Sequence, residues 1–193
     1  MRKDLTQVNL KSSFLSCEKD TEKILKKLFV ESRPHSDVLK KLLVVNTKDC
    51  LDADDNKYQD VIENMSLRKL REKGYIRIEP KIKFGEFEEV KAYILLSFDN
   101  FIPNETNPEF FDCTVSFDII CHTDYWDIGN YRVRPLKIAG YIDGLLNRSK
   151  LSGIGTFNFM GCNQLILDEH LSGYTLMYRA IHSVDGDDKV PAA

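Results

Sequence analysis

Between Phe111 and Ile119 the chain alternates strictly. Phe111, Cys113, Val115, Phe117 and Ile119 are apolar, while Asp112, Thr114, Ser116 and Asp118 between them are polar. Successive strand residues point to opposite faces, so this segment predicts a strand with one buried face and one that is wet or at an interface. Whatever covers the apolar face must come from elsewhere in the chain, and the flanking sequence supplies it as helices.

Up to about residue 74 the spacing is helical. Ile24, Leu25, Leu28 and Phe29 share a face opposite Lys19, Lys23, Lys26 and Lys27. Arg33-Pro34 interrupts that helix, Ser36 is placed to cap the next one, and Val38, Leu39, Leu42 and Leu43 carry it to about Asn46. A third stretch from Lys57 to Lys73 stops at Gly74, with Ser66 as a possible break. From Tyr75 the pattern becomes that of strands. Tyr75, Ile76, Ile78 and Ile82 predict a first strand containing Pro80, and Gly85 turns the chain into a second strand over Val90 to Phe101. After the alternating strand and the loop from His122 to Asn130, Pro135 opens a helix in which Ile138, Ile142, Leu145 and Leu146 recur at helical spacing. Two more strands, about Thr156 to Leu167 and Tyr174 to His182, are expected to join around Leu171-Ser172-Gly173. The fold class is therefore α+β: an antiparallel sheet of about five strands, a three-strand meander plus a C-terminal hairpin, covered by helices on one face. We expect one domain over residues 1–183, with a helical part at 18–74, the sheet and its packing helix at 75–183, and a frayed tail at 184–193.

Composition narrows the class. A 193-residue chain that is 42% hydrophobic and 30% charged can bury a core and is not a disordered polymer. No apolar run reaches the roughly 18 residues of a membrane helix, and the first twenty residues lack a signal-like apolar segment, so no membrane association or export is expected. The five cysteines form no C-x-x-C pair and are odd in number, which fits a reducing compartment. Cys113 and Cys121 would stand about 26 Å apart on one strand and read as small apolar fillers.

The net charge of −3 hides a segregation. Residues 84–130 hold ten acidic side chains and only Lys91 as a base, whereas residues 66–83 carry a charge of +5 and residues 131–150 one of +4. Two readings stand: solvated faces without a special role, or self-assembly in which the acidic surface of one copy meets the basic helix of the next. A net-negative chain without one concentrated basic stripe is not expected to be a nucleic-acid binder.

Motifs for chemistry are weak. Asp52, Asp54, Asn56, Asp60 and Glu63 fit positions of a calcium loop, but Lys57 stands where the turn requires glycine, and an acidic loop running into a helix N-terminus is the preferred account. His122, Asp124 and Asp127 with Asp118 could make a metal-dependent hydrolase, yet Asp118 and His122 are about 13 Å apart on an extended strand. There is no G-x-S-x-G elbow, G-x-G-x-x-G turn or Walker loop, and His35, His170 and His182 are scattered. No catalytic residue, cofactor or metal is assigned. Tyr125, Trp126 and Tyr131, beside Arg132 and Arg134, are residue types enriched in interface hot spots and form a candidate contact region; packing of Trp126 under its own helix is the alternative.

The order of elements, and above all the stretch FDCTVSFDIICHTDYWDIGNYRVRPLKIAGYIDGLLN with its alternating strand and I-x-x-x-I-x-x-L-L helix, resembles the tail terminator or tail-completion proteins of tailed bacteriophages. The resemblance covers about residues 20–183. It implies a non-enzymatic virion protein of the head–tail junction, or neck, assembled in the host cytoplasm. It implies a homo-oligomeric ring, a hexamer or dodecamer, that caps the tail tube, meets the head connector on the portal side, and lets DNA pass through its lumen without specific binding. The helices before the sheet exceed that family's usual single one, so another neck component, an adaptor or stopper, stands as the alternative.

Overall fold

A computed structural model describes residues 13–51, 55–78, 92–105, 110–151 and 155–183. The elements run α1 (Ser13–Lys26), a π-helical turn (Lys27–Glu31), α2 (His35–Val44), a 3-10 turn (Asp55–Tyr58), α3 (Gln59–Glu63), α4 (Leu67–Glu72), β1 (Ile76–Arg77), β2 (Ala92–Pro103), β3 (Phe110–His122), a 3-10 turn (Thr123–Tyr125), α5 (Arg134–Leu146), β4 (Lys150–Leu151), β5 (Gly155–Thr156), β6 (Asn158–Ile166) and β7 (Leu171–Ser183). The five-stranded sheet has the order β1-β2-β3-β7-β6, and β4 and β5 form a separate small hairpin. The chain is thus α+β, as the hydrophobic periods predict.

The alternating strand is the middle of the sheet. Cys113, Val115, Phe117, Ile119 and Cys121 face one side together with Ala92, Ile94 and Leu96 of β2 and Leu176, Tyr178 and Ala180 of β7, and all are buried. Against them pack Ile24, Leu25, Leu28 and Phe29 of the first helix and its π-helical turn, Leu39, Leu42 and Leu43 of α2, and Ile138, Ile142 and Leu146 of α5. Each such side chain contributes about 1.5–3 kcal/mol by leaving water, which is why three amphipathic helices settle on this face. The other face carries a smaller cluster, in which Tyr93, Leu95 and Ile120 are covered by Leu165, Leu167 and Leu171 from the β6–β7 end.

Several boundaries differ from expectation for local reasons. Ser66 does break the third helical stretch, as the N-cap of α4 whose hydroxyl accepts from the Lys69 N–H at 3.3 Å, and Gly74 follows with φ +79. Ser36, by contrast, does not cap α2. It lies inside the first turn, buried, because Ser32 and Pro34 supply the carbonyls that start the helix. The first strand is not the start of a meander. β1 runs parallel to β2, pairing Ile76 with Ile94, so the sheet is mixed, and the connection between the two strands is long enough for a crossover. The expected strand residues Pro80 and Ile82 and the Gly85 turn lie outside the described residues, as does the tail 184–193.

The β6–β7 turn sits earlier than Leu171-Ser172-Gly173. Asp168 Oδ1 accepts from the N–H groups of His170 and Leu171, both at 2.7 Å, and closes the turn there. Gly173 belongs to the strand, opposite Ile120, where a Cβ would sit 1.7 Å from the Ile119 carbonyl oxygen. Glycine serves there for close backbone approach, and the chain turns elsewhere. No helix among the described residues is long and apolar enough to cross a membrane.

Candidate functional site

The loop between β3 and α5 is built around two anchors. Ile128 is fully buried, and the chain on either side of it pairs back through the Asp127–Val133 bridge. The turn between them is tight: Gly129 N–H donates to Asp127 Oδ1 at 2.9 Å, Arg132 N–H to the Gly129 carbonyl at 2.9 Å, and Ile128 N–H to the Arg132 carbonyl at 3.1 Å. Three successive residues in it are left-handed, Gly129 at φ +75, Asn130 at +50 and Tyr131 at +60. Left-handed backbone is ordinary for glycine and tolerated by asparagine, but for a tyrosine it is strained. The result is a side chain with 106% relative exposure, held out from the surface at the tip of a pinned turn.

The second anchor is Arg134, whose side chain is completely buried. Its Nε donates to the Tyr125 carbonyl at 2.8 Å, Nη1 to those of Leu42 and Val45 at 2.6 and 2.9 Å, and Nη2 to that of Thr47 at 2.9 Å. Leu42 lies in the last turn of α2, where carbonyls lack helical partners and the helix dipole is negative, so a guanidinium is well placed there. Arg134, expected in a contact surface, is therefore corrected to an internal clamp that joins α2, the loop and the start of α5.

The remaining candidates divide. Tyr125 and Trp126 are half-buried; the Trp126 Nε1 donates to the Cys121 carbonyl at 3.3 Å and its ring lies 6.3 Å from that of Tyr174, so packing takes much of this residue. Arg132 is half-buried, with its Nε on the Gly129 carbonyl at 3.1 Å. Tyr131 and Arg132 line a shallow concavity of about 510 Å3 together with Val133 and, along α5, Leu136, Lys137, Gly140 and Tyr141. Leu136 is 46% exposed and Lys137 is exposed, and Gly140 presents no side chain to the surface. The helix residues of this groove escape a reading based on core periodicity, because they lie on the face opposite Ile138 and Ile142. The usable signal is an exposed leucine among cations and glycines.

Of the hydrolytic cluster the structure brings together His122 and Asp124, with Nδ1 3.4 Å from Oδ2, and not the set of four. Asp118 Oδ1 accepts from the Thr175 hydroxyl at 2.6 Å, Asp127 faces Gly129 and Lys48, and His122 Nδ1 accepts from the Asp124 N–H while its ring stacks on His170 at 5.6 Å. Among the described residues no three His, Cys, Asp or Glu side chains converge as metal ligands. Of the calcium template, Asp52 and Asp54 and the Asn56 side chain lie outside the described residues. Lys57 makes an ion pair with Asp49 at 2.6 Å, and that contact holds the Asp49 carboxyl well below the usual carboxylate range. None of the five cysteines is in a disulfide, and burial pushes the Cys113 and Cys121 thiols up to about 12, as fits inert fillers.

No curated protein matches the chain. Residues 36–180, from the first turn of α2 to β7, match the profile of the YomW family and so include both anchors and the groove. The match spans well over half of the sequence, and the chain belongs to the YomW family, a family of phage origin, and is a phage-related protein.

Proposed function

We propose that this chain is a structural, non-enzymatic virion protein of a tailed phage. It forms a homo-oligomeric ring at the head–tail junction that caps the tail tube and joins it to the head connector. The observation that carries the reading is Tyr131: an aromatic side chain fully exposed on a strained turn whose two flanks are tied by the buried Ile128 and by the Arg134 clamp. Strain of this kind persists only where surrounding structure enforces it, and it concentrates at functional positions. Aromatics and arginine are typical anchors of protein contacts, whereas of the carboxylates here Asp118 accepts from Thr175 and Asp127 from its own turn, and only the pair His122 and Asp124 meets.

A ring stops tail growth sterically. One face covers the end of the tube, and the other differs from it and offers no place for a further tube ring. Heterologous contacts close such rings when the rotation between copies divides a full turn. An adaptor or stopper at the same junction is the alternative, favoured by the α1–α4 layer that precedes the sheet. The test is native mass of the full chain, alone and with the tail-tube protein of the same phage. A closed oligomer is the expected result, and a monomer under every condition overturns the reading.

A further inference from the structure

The period of β2 places Ile94, Leu96 and Phe98 on the helix-covered side, and strict alternation would put Ile102 there too. A bulge between Asp99 and Ile102, with Asn100 at φ +53, reverses this. Phe101 packs against the core, while Ile102 pairs with Asp112 on the helix-free face and is 60% exposed. Bulges re-aim side chains in this way, and here the product is an exposed isoleucine with exposed acids, Asp99 and Glu105, three residues before and after it in sequence, and with the Asp112–Arg179 pair across the strand.

The α5 groove has the opposite character. It is lined by the apolar Val133 and Leu136, by Gly140 and Tyr141, and by the cations Arg132 and Lys137. These two surfaces do not meet within one chain. The groove is on the outer side of α5, which covers the helical face and starts beside the Cys121 end of β3; Ile102 is on the other face, opposite Asp112. From Asp112 to His122 the strand runs about 33 Å. Complementary surfaces placed apart on one molecule, and differing from each other, pair head to tail between copies.

We infer that Ile102 of one copy, flanked by Asp99 and Glu105, seats in the α5 groove of the next copy, with its acidic neighbours against Lys137 and Arg132. This rests on the ring reading and specifies its contact. The occupant is a second copy because this chain itself carries the matching apolar residue and charges, and Tyr131, which lines the groove, then packs on the incoming strand. The pairs are solvent-accessible, so the contact weakens as salt rises.

The test measures assembly of the full chain by sedimentation, alone and with tail-tube protein, for Ile102→Asp, Lys137→Glu, Glu105→Lys and the Glu105→Lys/Lys137→Glu double variant. Each single change is expected to raise the concentration for half-assembly about tenfold or more, equivalent to about 1.4 kcal/mol. The double variant is expected to return to within about threefold of the parent, a recovery that misfolding cannot produce. A ring that forms normally in all three single variants, or no recovery in the double variant, overturns this contact and leaves the ring reading standing. A parent chain that never assembles overturns both.

Discussion

The guanidinium of Arg134 donates through Nη1 to the carbonyl oxygen of Leu42 at 2.6 Å, across 92 positions of sequence and with no water-exposed surface on the arginine. This bond and its neighbours on Val45, Thr47 and Tyr125 fix the loop that displays Tyr131 to the C-terminal end of α2.

Replacing Arg134 leaves four carbonyls without a donor, three of them gathered at the end of α2. Arg134→Met is expected to lower stability by about 3–5 kcal/mol, because breaking a buried charged network strands its partners. Arg134→Lys is expected to recover little of it, since an ammonium lacks the planar fork that reaches carbonyls on two sides. Urea unfolding checks both, and a loss below about 1 kcal/mol in either would show that the clamp is not structural.

Tyr131 carries its strain in the backbone. Tyr131→Gly is expected to stabilise the folded chain by about 0.5–1 kcal/mol, the left-handed penalty less the entropy glycine adds to the unfolded state. It is also expected to weaken assembly. Thermal unfolding and native mass on the same sample check the two together, and a rise in stability with unaltered assembly would remove Tyr131 from the contact.

Much of this architecture is legible in the sequence, and the limits are physical. Period-two alternation locates β3 because one face is buried throughout, and the spacing of Ile138, Ile142 and Leu146 locates α5 for the same reason. Alternation fails at Ile102, where a bulge adds a residue, and at Gly173, where a glycine that reads as a turn is demanded by the nearby Ile119 carbonyl. The parallel pairing of β1 is invisible to local pattern, since two strand residues carry no direction. At the candidate site, Tyr131 and Arg132 could be found from residue type alone. The burial of Arg134 could not, because its partners are backbone carbonyls far away in sequence and leave no trace in side-chain identity.

The glycines separate by what a methyl group would meet. Gly173→Ala drives a Cβ into backbone and is expected to cost at least about 2–3 kcal/mol. Gly144→Ala meets nothing within 4 Å and is expected to stabilise α5 by up to about 1 kcal/mol. Equal effects in chemical denaturation would contradict the packing of β7 on β3.

Asp127 and Asp168 bind backbone N–H groups of their own turns, those of Gly129 and of His170 and Leu171, and these hold both carboxyls below the ordinary value. A depressed folded pKa contributes stability that is complete above the unfolded value, about 3.9, and is lost as pH falls through the folded one. The urea midpoint is therefore expected to show no contribution from these groups to pH dependence between pH 7 and about 5, and a decline below about 4 that is shallower in Asp168→Asn. An Asp168→Asn profile parallel to the parent's would contradict the Asp168 turn geometry.

The most direct test of the central claim is electron microscopy of particles assembled without this chain. The account predicts overlong tails, or heads and tails that do not join, with both restored when the chain is supplied. Particles of normal tail length, with heads joined, would contradict it.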